Sequence, residues 1–147
     1  MKINRWALIM LAALLSPMAS VFAADVALDY DFYKSRVEPI FMKHRPSHGR
    51  CYVCHAGSNN ALRLEKLSPG QKAWSEEQSL NNFQRVKGLV VAGEPDKSKL
   101  LLHPLAPEAG GQPFHSGGRQ FASKNDADWK ILEQWVQIGR ASCRERV

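Results

Sequence analysis

The chain has 147 residues, 44% of them hydrophobic, with 20 lysine and arginine residues against 14 aspartate and glutamate and a formal net charge of +6. That length suits one domain with a modest core. The charge is no argument for nucleic acid binding, because much of it lies at the chain ends: without Lys2 and Arg5, and without Arg140, Arg144, Arg146 and Glu145, the 20 basic and 14 acidic residues fall to 15 and 13, a net of +2.

The chain opens with Lys2 and Arg5, an apolar run from Trp6 to Leu15 and small residues ending Val21-Phe22-Ala23. This is the pattern of a secretory signal peptide over residues 1–23, cleaved after Ala23. The run is short for a membrane span, and no cysteine stands at the cleavage site to accept a lipid. The expected product is a periplasmic protein that does not span the membrane, with residues 24–137 as its domain.

From Asp31 to about His44 the apolar residues Phe32, Tyr33, Val37, Ile40 and Phe41 recur at three- and four-residue spacing, which predicts a helix with one apolar face. Pro39 inside it should kink or split it. Next comes Cys51-Tyr52-Val53-Cys54-His55, the Cys-X-X-Cys-His pattern of covalent haem attachment. Each thiol adds across one haem vinyl group, and the two-residue spacer brings both sulfurs to one edge of the macrocycle. The adjoining imidazole of His55 is then placed as the proximal axial ligand of the iron. An extracytoplasmic destination agrees with the motif, since such attachment is made outside the bacterial cytoplasm. Two other readings of these residues exist. One is a small disulfide or reduced pair, and the other a zinc site built from His44, His48, Cys51 and Cys54, which would leave His55 without a role.

Ser75-Glu76-Glu77-Gln78 is a capping-box signal for a helix to about Lys87, with Leu80, Phe83 and Val86 on one side. Gly93 to Asp96 reads as a turn, Ser98 to Leu102 as a short apolar helix, and Pro104 to Ser123 as a Gly/Pro-rich loop. Asn125 can cap a closing helix in which Trp129, Leu132 and Val136 share a face, with Trp129 and Trp135 as core aromatics. Residues 138–147, Ile-Gly-Arg-Ala-Ser-Cys-Arg-Glu-Arg-Val, read as translated sequencing adapter, so Cys143 is set aside and the natural chain is expected to differ from Ile138 onward. The whole pattern is all-α, with no repeat and no strand alternation.

A first helix, a haem-binding turn, a middle helix, a ligand-bearing loop and a closing aromatic helix resemble the order of small class I c-type cytochromes. The phrases Val37-Glu38-Pro39-Ile40-Phe41, Pro95 to Leu101, His115-Ser116-Gly117-Gly118 and Trp129 to Val136 are similar to the planctomycete-type cytochrome-c-like domains. Those domains typically carry His-Gly-Gly-Gly, and Ser116 replaces the first glycine here. The resemblance implies a cytochrome c-like helical fold around one covalently bound haem c.

Past the signal peptide the only methionine is Met42, in the first helix and before the motif, so methionine ligation is not expected. His115 lies sixty residues beyond His55 in the Gly-rich loop, where Gly117 and Gly118 permit close approach of the backbone. It is the expected distal ligand; His103, after Leu100-Leu101-Leu102 and before Pro104, reads first as a capping or propionate-side histidine and is the second candidate for the iron. Ligation by two histidines lowers the reduction potential relative to a methionine-ligated haem. The chain shows no paired carboxylates, nucleophile elbow or phosphate loop, so the expected role is one-electron transfer between periplasmic or membrane-bound redox proteins. The alternatives are a peroxidase-like enzyme or gas sensor with an open sixth site, in which Gln112 and Arg119 near His115 would act on the ligand, and the haem module of a longer protein.

Overall fold

The computed structural model describes residues 28–46 and 48–141. The expected signal peptide and Cys143 lie outside them. Helices α1 (Tyr30–Phe32), α2 (Glu38–Met42), α3 (Cys51–His55), α4 (Glu76–Lys87), α5 (Lys99–Leu102) and α6 (Ala127–Ala141) are joined by turns and loops, and among the described residues the only strand-like pairings are isolated bridges. The mostly helical, sheet-free class follows the sequence. None of these helices is long and apolar enough to cross a membrane.

The first helical stretch is not broken at Pro39. It widens instead: Tyr33–Val37 is a π-helical turn between α1 and α2, and the Glu38 N–H donates to the Tyr33 carbonyl five residues back. A proline lacks the N–H for the normal ladder and its ring crowds the carbonyl four residues earlier, so a wider turn just before it accommodates the ring. The register thereby buries Tyr33, Val37, Ile40 and Phe41 together.

Helix α4 begins as expected, with the Ser75 hydroxyl accepting from the Gln78 N–H and the Gln78 side chain accepting from the Ser75 N–H. Phe83 and Val86 reach the core, but Leu80 is exposed. The buried polar residues Ser79 and Asn82 occupy the turn's inner face instead; Asn82 Oδ1 accepts from the Glu65 N–H at 2.7 Å and so ties the loop after α3 to α4. Ser98 is fully buried for the same kind of reason, its hydroxyl bonding the Val91 N–H and the Glu94 carbonyl in the turn before α5.

Helix α6 is capped by Asp126 and not by Asn125, since Asp126 Oδ1 accepts from the N–H groups of Asp128 and Trp129. It continues past Gln137 to Ala141, and Gly139 sits against Leu28 and Ala92. Trp129 and Trp135 are core aromatics as expected. Trp135 packs tilted on Tyr33 with ring centroids 5.5 Å apart and donates from Nε1 to the Asp29 carbonyl, locking α6 to the first helical stretch.

A second lock is ionic. Arg45 pairs with Asp126 at 3.1 Å and with Asp128, Lys43 pairs with Asp128 at 2.8 Å, and the Arg45 guanidinium lies over the Phe121 ring at 4.5 Å. These contacts tie the segment before Cys51 to the start of α6.

Candidate functional site

The proximal half of the site is local. Helix α3 is a single turn that places Cys51 half-buried and Cys54 exposed, both as free thiols. Burial pushes the Cys51 thiol up from its ordinary value, with the nearby Arg45 charge opposing the rise. After the turn the chain doubles back, so that the Gly57 N–H donates to the Leu64 carbonyl and the Leu64 N–H to the His55 carbonyl. That return brings the Leu62 carbonyl to 2.7 Å from His55 Nδ1. A carbonyl can only accept, so Nδ1 carries the proton and Nε2 keeps the lone pair. Burial holds the imidazole below its usual range, the Leu62 bond opposes this, and the proximity of His115 adds to it.

The distal half is assembled from far along the chain. The loop after α5 is closed at its neck by a bridge between Leu105 and Phe121 and by the Gly111 N–H donating to the Ala106 carbonyl. Gly111 is required there, because a Cβ would overlap the Leu105 carbonyl. At the tip, His115 Nδ1 meets the Gly118 carbonyl at 2.7 Å, so the same argument leaves Nε2 as its free nitrogen. Gly118 has φ +78°, and a Cβ on Gly117 would stand 3.2 Å from the His115 ring. Both glycines of the His-Ser-Gly-Gly phrase thus have a structural reason, whereas Ser116 is exposed.

The two halves meet. The His55 and His115 rings are parallel to within 10° with centroids 6.2 Å apart, and both line one cavity of about 400 Å³ together with Cys51 and Cys54. Its walls include Ile40, Phe41, Leu62, Leu100, Phe121 and Leu132. Such a volume and apolar lining suit a small-molecule or cofactor site. A metal ion bonded to one nitrogen of each of two imidazoles sets their ring centres about 6 Å apart, from two bonds of roughly 2 Å and about 1.1 Å from each nitrogen to its ring centre. The spacing, the free Nε2 atoms and the thiols fit a covalently attached haem with two histidine ligands.

The other sequence candidates are placed differently. His103 lines the same cavity, and burial is the main cause holding it below its usual range, with the nearby His115 adding to the effect. It is not the ring parallel to His55. Arg119 pairs with Glu108 at 2.9 Å and lines a separate surface cavity, and Gln112 is exposed and lines neither. Among the polar residues lining the main cavity is Gln120, buried and donating from Nε2 to the Gly117 carbonyl. Sequence reasoning passed over Gln120, and nothing in the local pattern marks it as inward-facing. His44 and His48 line the separate cavity, and among the described residues no three His, Cys, Asp or Glu side chains gather as a metal site of the kind a zinc reading requires. No protein-family model, curated protein or solved structure matches the chain.

Proposed function

We propose that this chain is a periplasmic monohaem c-type cytochrome of the class I kind, related to the planctomycete-type cytochrome-c-like domains. In this reading haem c is bonded through Cys51 and Cys54 and ligated by His55 and His115. The observation that carries it is the parallel His55 and His115 pair, 6.2 Å apart, in the cavity that also holds both thiols. When bound, the haem supplies a one-electron couple at the iron.

The chain's own groups do the rest. Cys51 and Cys54 would hold the haem covalently, each thiol bonding one vinyl carbon with its proton ending on the other. The Leu62 and Gly118 carbonyls fix the tautomer and rotation of the two imidazoles, as outer partners of metal-bound histidines do. Ile40, Phe41, Phe121 and Leu132, which line the cavity, would keep water from the haem and favour its less charged state. With His55 and His115 both holding the iron, no place would remain for a substrate at the metal, which supports a role in electron transfer between periplasmic or membrane-bound redox proteins. Arg119, engaged with Glu108 away from the cavity, leaves the peroxidase-like alternative without its expected distal cation.

The test is an optical spectrum of protein expressed with the cytochrome c maturation machinery, oxidised and dithionite-reduced, followed by a pyridine haemochrome assay and carbon monoxide. Sharp reduced α and β bands unmoved by carbon monoxide are expected. A high-spin spectrum shifted by carbon monoxide would sink the carrier reading, and absence of haem would sink the cofactor.

A further inference from the structure

The cavity wall is charged with one sign only. Its formally charged side chains are Arg50 and Lys99, and no aspartate or glutamate lines it. Neither cation has an ion-pair partner among the described residues, whereas Lys43, Arg45, Arg85 and Arg119 are each neutralised by a nearby carboxylate. An apolar cleft with unpaired positive charge at its rim calls for a ligand that is flat and greasy in its body and anionic at an edge. Haem has that form, with its two propionate carboxylates on the side opposite the vinyl groups. The thiols of α3 would fix the vinyl edge, and Arg50 directly precedes Cys51 in the chain. Lys99 and His103 come from a different element. They stand four residues apart, at the first position and the C-cap of α5, so one face of one turn presents both to the cavity.

We propose that Lys99 and His103 form the propionate subsite of the haem cavity, holding a carboxylate between them and thereby setting which way round the macrocycle lies. This rests on the haem reading above. It gives His103 a place in the site other than the iron, and it explains an unpaired lysine next to a row of leucines. A carboxylate in contact with a lysine and an imidazole N–H makes charge-assisted hydrogen bonds, stronger than neutral ones and sensitive to removal of either partner.

The experiment uses holoprotein carrying covalent haem, with the resonance Raman propionate-bending band and the midpoint potential as readouts. Lys99→Ala is expected to shift the band and lower the potential, because a cation beside the haem disfavours the oxidised iron. His103→Gln is expected to shift the band and leave the low-spin spectrum intact. Lys97→Ala is the control, since Lys97 is exposed and already paired with Glu94, and it should leave the band in place. The subsite is wrong if neither Lys99→Ala nor His103→Gln moves the band, or if His103→Gln abolishes the low-spin spectrum, which would make His103 an iron ligand. A wild-type protein without haem in the pyridine haemochrome assay would overturn the haem reading itself, an outcome distinct from loss of the subsite alone.

Discussion

At the residue scale the site depends on how little room surrounds His115. A methyl group on Gly117 would press on the imidazole at 3.2 Å, so Gly117→Ala is expected to rotate or displace the ring. Part of the holoprotein should then become high-spin and bind carbon monoxide, which titration of the reduced spectrum would measure. Gly117→Ser should do the same, and Ser116→Gly should leave the spectrum as it is, because Ser116 is exposed. The sequence made His115 a candidate through its glycine neighbours and its distance from the motif. It ranked His115 ahead of His103 on those grounds, but gave no sign of the Gly118 carbonyl that orients the ring, because no residue type announces the direction of a backbone carbonyl. Cys51, Cys54 and His55 were legible as one group for the opposite reason, since they lie within five consecutive residues and α3 keeps them together. Asp126 carries a different kind of dependence. Burial alone would raise its carboxyl, but the hydrogen bond and charge of Arg45 and the N–H groups of Asp128 and Trp129 outweigh it and hold the group below its ordinary value. A depressed folded-state pKa contributes stability that is present above the unfolded value of about 4 and lost as pH falls through the lower folded value. Asp126→Asn should therefore flatten the acid limb of a plot of unfolding free energy against pH, measured by urea titration.

At the scale of elements, the helices that could be read were those whose signals are short-range. The capping box at Ser75 and Gln78 appears where expected, and Ser75→Ala should cost about 1 kcal/mol in urea unfolding. The face of α4 was legible only in part: Leu80 has the right spacing but points to solvent, because the inner face is set by Asn82 reaching across to the Glu65 N–H, a contact between segments far apart in the chain. Pro39 announced a disturbance but not its form. Proline permits a break, a kink or a widened turn, and the burial of Tyr33 and Val37 on the same side as Ile40 and Phe41 selected the last. Replacing Pro39 with alanine restores an N–H and removes the ring, so the π turn loses its local cause.

At the scale of the whole molecule, two long-range ties hold the first helical stretch and α6 around the cavity, one aromatic and one ionic. Trp135 is fully buried, and Trp135→Ala should cost roughly 3–5 kcal/mol through lost transfer energy and a cavity. Arg45 is largely buried between Asp126 and Asp128. Truncating it leaves Asp126 without its cation and Asp128 with Lys43 alone, which should lower the free energy measured in equilibrium unfolding. Since Arg45 also covers Phe121, a wall of the cavity, Arg45→Ala should lower stability and admit water to the site together. None of these partnerships was visible in the sequence, because Arg45 and Trp135 meet residues 81 and 106 positions away that no local pattern links to them.

The contrast between the two halves of the cavity bears on the order in which such a molecule can be put together. Everything that orients His55 is contained in the run from Cys51 to Leu64: the turn, the doubling back and the carbonyl of Leu62. Contacts this local form early and need no finished core. His115 needs the loop neck at Leu105 and Phe121, and so waits for most of the chain. A nascent protein would therefore offer two thiols and one oriented imidazole while its other face is still open, and would close over its cargo afterwards, as the last act of folding.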